Sequence, residues 1–441
     1  MRETKAWRYA IGMFGTSIPI NMFIPYMAAF YVKDLGVLTA VQVGSVLVAY
    51  SIIDAIDNPV YGYLSDRTRG RFGRRRPWLF VGAPLLCLSL VAFFSPPGDL
   101  SATGYLVWFA VTAILVETTD SLVNTNYGSL LPELFPEEKR RARVNALRQG
   151  LGLLGLAVAI SLTPILKSTL GYGLTAVAYS VIALVAILVM ATGVRENPER
   201  LAAPQPGVAD SIRSILGTPS FWVIAITNGA YASAIALLLA GASFFMTYTL
   251  GLPESQVSVL LGTVILTSIA FLAMWAALVR RWGVLVVWRT ALAVFAVSFV
   301  PMYFAGSLMT AVAAGVLIGL GYSGVIATTD VVVARFIDAD AARTGVHREA
   351  MVIAAFGFFN RLSTSAKSLG FFGMTVLFGY VNRDQPGDQP DAAARFLMVV
   401  MPFIFAVIAA VTSRFVRIPV RPGPDEADDA GAVPVPHRPA A

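Results

Sequence analysis

Apolar runs long enough to cross ~30 Å of hydrocarbon recur along the whole chain, separated by short polar segments. The pattern predicts twelve membrane-spanning helices, at about 7–32, 40–63, 78–96, 103–131, 144–167, 172–194, 219–249, 256–279, 284–306, 309–336, 349–381 and 394–416. No small-residue cleavage site follows the first run, which therefore reads as the first span rather than as a signal peptide. The longest polar stretch, Arg195–Gly217, is proline-rich and falls between spans 6 and 7. It reads as a linker between two six-helix halves, residues 1–194 and 218–418. Residues 419–441 are rich in Pro, Ala and Asp and read as a disordered tail.

Charge gives this pattern an orientation. Basic residues gather before span 1 (Arg2, Lys5, Arg8), after span 2 (Arg67 to Arg76) and after span 4 (Lys139, Arg140, Arg141, Arg143). They recur after spans 6, 8 and 10 and beyond span 12, whereas the alternate loops carry little more than Lys33, Lys167 and Arg383. By the positive-inside rule both termini are expected in the cytoplasm, the chain being a multi-pass protein of the cytoplasmic (inner) membrane. Composition agrees: 56% of the 441 residues are hydrophobic and 13% charged, against about 25% charged in soluble domains. The net charge of +7 sits in short loops between spans, which argues against nucleic-acid binding. One cysteine, Cys87, and two histidines, His347 and His437, leave no disulfide framework and no soft-metal centre. Neither a nucleophile motif nor a phosphate-binding loop suggests an enzyme or an ATP-driven pump.

Ionisable residues inside spans each cost several kcal/mol, ~2.5–3.5 at a helix centre, and need a reason. Asp54, Asp57 and Asn58 share one face of helix 2; Glu117, Asp120, Ser121 and Asn124 share one face of helix 4. Asp330 lies in helix 10, Arg361 and Lys367 in helix 11, and Arg148 near the start of helix 5. Two carboxylates one turn apart repel when ionised, and burial adds to the penalty. The Asp54/Asp57 face therefore relaxes by taking up a cation or a proton. Oxygen donors suit Na⁺, Li⁺ or H⁺, and Lys367 could neutralise the site when it is empty. A structural ion pair is the alternative for each of these residues, and it weighs more for Glu117 and Asp330 than for the others. The loop that follows, Gly62-Tyr63-Leu64-Ser65-Asp66-Arg67 through Gly73-Arg74-Arg75, suits close helix approach, with Asp66 able to cap or pair across to another helix. That is the form of a latch made in one state and broken in the other, with Asp66, Arg67, Arg74, Arg75 and Arg348 as its candidate members.

The loop Gly62–Arg75 resembles the major facilitator signature after span 2. Four further stretches make the resemblance specific to the glycoside–pentoside–hexuronide:cation symporters, the group of the melibiose permease. They are Asp54-Ala55-Ile56-Asp57-Asn58-Pro59; Leu130-Leu131-Pro132-Glu133-Leu134 with the charges from Glu137 to Arg143; Asp330, Asp338, Asp340 and Thr344-Gly345-Val346-His347-Arg348-Glu349; and Ala354-Ala355-Phe356 through Asn360 and Lys367. The resemblance implies an all-α membrane protein with the major facilitator fold, alternating access and cation co-transport. It places Asp54 at the family's first cation-site aspartate, Ser121 at a helix 4 hydroxyl, and Lys367 and Arg148 at charge-balancing positions. The second aspartate and its neighbouring asparagine stand in reversed order here, as Asp57 and Asn58. The family's sugar-holding carboxylates and stacking tryptophan fall at Ser17, Asn124 and Gly128, so a galactoside specificity does not carry over.

The resulting expectation is a monomeric carrier that couples a small polar solute, such as a sugar or glycoside, to a monovalent cation or proton without any other cofactor. Asp54, Asp57, Asn58, Ser121 and Asp120 form the cation site. Asn21, Tyr26, Asn124, Asn126, Tyr127, Asn228 and Arg361 line the solute pocket. The residues leave open an uncoupled facilitator, an exporter, a carrier of a lysolipid-type solute, and a non-transporting receptor or scaffold.

Overall fold

The computed structural model describes residues 4–39, 42–43, 45–46, 60–68, 73–196, 208–253, 256–346, 348–363, 366–380 and 387–418. Among them the regular structure is all helical. α1 (Ala6–Ala29) runs on through a π-helical turn, Phe30–Asp34. α2 (60–67), α3 (Arg76–Phe93), α4 (Ala102–Leu134) and α5 (Glu138–Gly193) follow. After the short α6 (Val208–Leu216) come α7 (Pro219–Phe244), α8 (Val257–Trp282) and α9 (Val284–Tyr303). α10 (Leu308–Thr344), α11 (Glu349–Ser363), α12 (Ala366–Phe378) and α13 (Pro390–Ser413) complete the bundle.

Eight helices among the described residues are long and apolar enough to cross a membrane. The expected spans map onto this order with informative differences. Spans 5 and 6 are one 56-residue helix broken at Gly171, whose φ of 77° and ψ of 169° no helix accommodates. Span 11 is divided between α11 and α12. Span 10 runs on to Thr344, well beyond the expected 336, and carries Asp338 and Asp340 as helix rather than loop. Most of span 2, with Asp54, Asp57 and Asn58, lies outside the described residues, as does the tail from 419. The linker contains a helix, α6, which the proline-rich composition concealed.

Helix starts follow from local chemistry. Ser101 accepts a hydrogen bond from the Gly104 amide at 3.1 Å. Ser307 and Thr310 close a capping box at the start of α10. Inside the first 196 residues, two apolar clusters form. One gathers Ile18, Phe23, Tyr31, Phe93 and Phe109; the other gathers Tyr9, Tyr127, Leu130, Phe135, Ile187 and Met190. A third cluster, around Trp275, Trp288, Phe295, Phe299 and Phe336, takes in Ala142, Ala146 and Leu153 of α5. α5 thus packs on both groups of helices. Large apolar side chains left exposed, such as Leu88, Val181, Leu266 and Val297, face outward where hydrocarbon would meet them.

Small residues set the helix spacing, since lipid gives no hydrophobic drive between helices and close contact must replace it. A Cβ at Gly321 of α10 would stand 2.5 Å from the Phe295 Cα of α9, a backbone atom that cannot swing aside. Gly321→Leu is therefore expected to force α9 and α10 apart, costing ~1–3 kcal/mol. A lowered thermal midpoint of the detergent-purified protein is the check.

Candidate functional site

The arginine loop is built into a buried ion cluster. α3 begins immediately after Arg75, so Arg74 and Arg75 leave the helix start side by side. Both reach the same carboxylate oxygen, Oε2 of Glu349: Arg74 Nη2 at 2.9 Å and Arg75 Nη2 at 3.3 Å. Arg74 also meets Glu133 at 3.3 Å, and Arg75 meets Asp66 at 2.6 Å. Arg75 Nη1 donates to Ser65 Oγ at 2.7 Å, and that hydroxyl is bonded in turn to Asn126 Oδ1. Asp66 does two things at once: it pairs with Arg75, and it accepts from the Ala350 and Met351 amides at 3.4 and 3.0 Å, capping α11. Burial pushes the Asp66 carboxyl above its ordinary value, against the pull of Arg75. Burial works against the Arg74 charge too, but Glu349 and Glu133 outweigh it and hold its pKa above the usual arginine value.

The same end carries further ties between residues 133–149 and residues 284–349. Arg141 Nη2 sits 2.7 Å from Asp338 Oδ2, and Arg335 Nη1 sits 3.2 Å from Glu138 Oε2. Glu138 Oε1 accepts from the Val284 amide at 2.9 Å. These contacts close that end of the bundle. Arg348 lies apart from the arginine pair. It grips Asp340 with Nε and Nη2 at 2.8 and 3.0 Å and donates to Ser211 O and Ser214 Oγ, fastening α6. Arg67 is exposed, its guanidinium 4.4 Å above the Tyr63 ring.

Deeper in the bundle a second bridge joins α5 and α10. Asp330 Oδ2 accepts from Gln149 Nε2 at 2.6 Å and lies 3.4 Å from Arg148 Nη1. Asn145 Nδ2 donates to the Ile326 and Ala327 carbonyls at 3.1 and 3.0 Å. The Arg148 guanidinium stands 5.2 Å over the Tyr127 ring, and its buried Nε has no partner among the described residues. On α4, Asn124 donates to Asp120 at 2.8 Å; Ser121 is buried beside them.

Other nominated residues are distributed differently. Asn126 is fully buried and spends its amide on Leu122 O and Ser65. Asn21 donates to Ser17 O at 2.8 Å. Tyr26 stands at the opposite end, its ring 4.9 Å from Lys167 Nζ; that ammonium donates to Tyr172, which donates to Asp34. Asn228 of α7 is buried, its Oδ1 without a partner among the described residues. Asp54, Asp57 and Asn58 lie outside the described residues, as do the side chains of Arg361 and Lys367.

Sequence reasoning named Asp66 but missed the other carboxylates of the cluster. Glu133 and Glu349 stand inside recognisable stretches, yet no spacing says that residues 59 and 275 positions from Arg74 meet it. Asn145, one turn before Arg148, and Gln149, the residue after it, gave no signal beyond that proximity.

A helical bundle of this order, closed at one end by arginine–carboxylate ties and bridged inside by Arg148 and Asp330, is a membrane transporter of the major facilitator fold. The fold matches the crystal structure of the E. coli fucose:proton symporter FucP with a TM-score of 0.66 over 94% of this chain and 100% of that one, at 12% identity. The chain belongs to the MFS/sugar transport protein family, which matches residues 8–420. Full-length relatives include the putative 2,3-dihydroxypropane-1-sulfonate exporter of Escherichia coli K12, 26% identical over 91% of this chain and 90% of that protein. The putative sulfoquinovose importer of the same organism is 24% identical, over 92% and 89%. The family read from the sequence is thereby borne out: the protein is a transporter, not an enzyme.

Because Arg141 is buried and Asp338 is its counter-charge, Asp338→Asn is expected to leave the guanidinium on the neutral Phe135 and Pro132 carbonyls, at a cost of roughly 1.5–3 kcal/mol to this arrangement. Faster amide hydrogen exchange at the start of α5 and the end of α10 is the expected sign.

Proposed function

We propose that the protein is a cation-coupled symporter of a small polyhydroxylated solute bearing an acidic group, working by alternating access. The observation that carries this reading is Arg148. A buried guanidinium placed between α5 and α10, 3.4 Å from Asp330 and over the Tyr127 ring, suits an incoming carboxylate or sulfonate better than a neutral sugar. The names of two full-length relatives, a dihydroxypropane-sulfonate exporter and a sulfoquinovose importer, support an acidic solute. Asp120 and Asn124 on α4 offer hydroxyl partners. Asn228, whose oxygen has no partner among the described residues, offers another.

Coupling is assigned to the Asp54/Asp57 face with Asn58, Asp120 and Ser121. Binding of Na⁺ or H⁺ there cancels carboxylate repulsion and favours the state in which the latch reseals. Lys367 balances the empty site. The arginine-rich end is taken as cytoplasmic, which puts both termini inside and the closed latch on the inner face. The two halves, residues 1–194 and 218–418, would rock about the Arg148–Asp330 level, joined by the linker 195–217. Export is the second reading, favoured by the exporter among the relatives.

Uptake into proteoliposomes of sulfonated, carboxylated and neutral sugars under imposed Na⁺ or H⁺ gradients is the direct test. Accumulation of an acidic sugar driven by one cation is expected; uptake of neutral sugars alone would reject the acidic solute. Arg148→Gln is expected to raise KM for that solute about 10- to 100-fold, the size of a lost charged hydrogen bond. In Asp54→Asn, accumulation against a gradient is expected to vanish while downhill flux remains.

A further inference from the structure

Two guanidiniums converge on one oxygen of Glu349, which requires the backbone beneath them to be held against their mutual repulsion. That backbone is the first turn of α3, whose amides have no partner inside the helix. Arg75, at the N-cap position, supplies no side-chain cap. The partner comes from far away in the chain. Glu196, just past the end of α5, accepts from three consecutive amides: Arg74 N to Oε2 at 2.6 Å, Arg75 N to Oε1 and Oε2 at 2.9 and 3.1 Å, and Arg76 N to Oε1 at 3.0 Å. A carboxylate at a helix N-terminus is also favoured by the helix dipole. The fit is close. At Gly73, φ is 101° and a Cβ would stand 2.5 Å from Glu196 Oε1, so only glycine leaves room. Arg76 adds a second fastening, Nε to Ala191 O at 2.9 Å, on the same stretch of α5.

Glu196 touches neither Glu349 nor the interior bridge through any of these bonds. Its carboxylate instead ties the end of α5 to the amides that carry Arg74 and Arg75. We propose that Glu196 is a positioning residue for the latch: it fixes the backbone from which the two arginines reach Glu349, and so sets the balance between the closed and open forms of that end. The idea rests on the fold and the latch alone, and stands whatever the solute or the coupling ion proves to be. Removing the carboxylate orphans three amides in a buried turn, lets Gly73 to Arg76 relax, and loosens both grips on Glu349 together.

The test uses the full chain in nanodiscs, with Cys87→Ala to clear the native thiol. Spin labels go on cysteines at the exposed positions Lys139 and Ala342, on opposite sides of the closed end. Pulsed distance measurements then count closed and open molecules without substrate. Glu196→Ala is expected to move the closed-to-open ratio about tenfold toward open, the shift that loss of one strong cap gives. Glu196→Gln, which keeps an acceptor but loses the charge, should move it less. Glu196→Asp should restore part of the closed population. Glu137→Ala, an exposed carboxylate on the same rim, should leave the distances unchanged. The proposal is overturned if Glu196→Ala keeps the wild-type distances, or if Glu137→Ala shifts them equally. Should the alanine variant fail to insert, the glutamine variant decides by the same criteria.

Discussion

One end of this bundle is held by charges kept out of water. Arg74, Arg75, Asp66, Glu133 and Glu349 are all nearly or fully buried at one end of the bundle. Desolvating such a set costs about as much as its mutual attraction returns, so a buried ion cluster adds little to stability on balance. For the latch proposed above that is the useful property. A hydrophobic plug of the same size would hold the end shut. An ion cluster that nearly breaks even can be undone when water enters, and it re-forms only in one geometry. The direction of each hydrogen bond therefore matters more than the number of charges. Asp66 illustrates this by sealing the α11 amides with the oxygens that also hold Arg75.

Continuity along α5 links this end to the interior. The helix carries Glu138, Arg141, Asn145, Arg148 and Gln149 on the side that meets α9 and α10. Both the rim ties and the Arg148–Asp330 bridge therefore ride on one rigid rod. A change that draws Arg148 away from Asp330 removes one rung of the same ladder that the rim depends on. This is a physical route by which an event in the interior can bias the end, with no separate relay between them.

Much of this was legible in the sequence, for definable reasons. The all-helical membrane class and the order of its segments follow from hydropathy, and the family follows from short stretches of recognisable residues; hydropathy did not show that spans 5 and 6 form one helix broken at Gly171 or that span 11 is divided. Asp66 could be assigned a capping or pairing role because an acid beside a glycine-flanked arginine loop has few other uses. Glu133 and Glu349 were visible as letters but not as partners, since contacts across the bundle leave no period in the chain. Glu196 was not legible at all: its partners are backbone amides, which every residue but proline possesses. The helix α6 escaped because prolines ahead of it gave the whole linker a loop-like composition, while its hold on the bundle comes from Arg348 more than a hundred residues away.

The opposite end is constructed on another plan. There Lys167 rests against two tyrosine rings and shares a hydrogen-bonded chain with Tyr172 and Asp34, all within the first 196 residues. Those ties staple α1 to the two limbs of α5 on either side of the Gly171 break, and they involve no residue of the rim cluster. The ties at that end and those of the rim thus share no side chain, though both are anchored on α5.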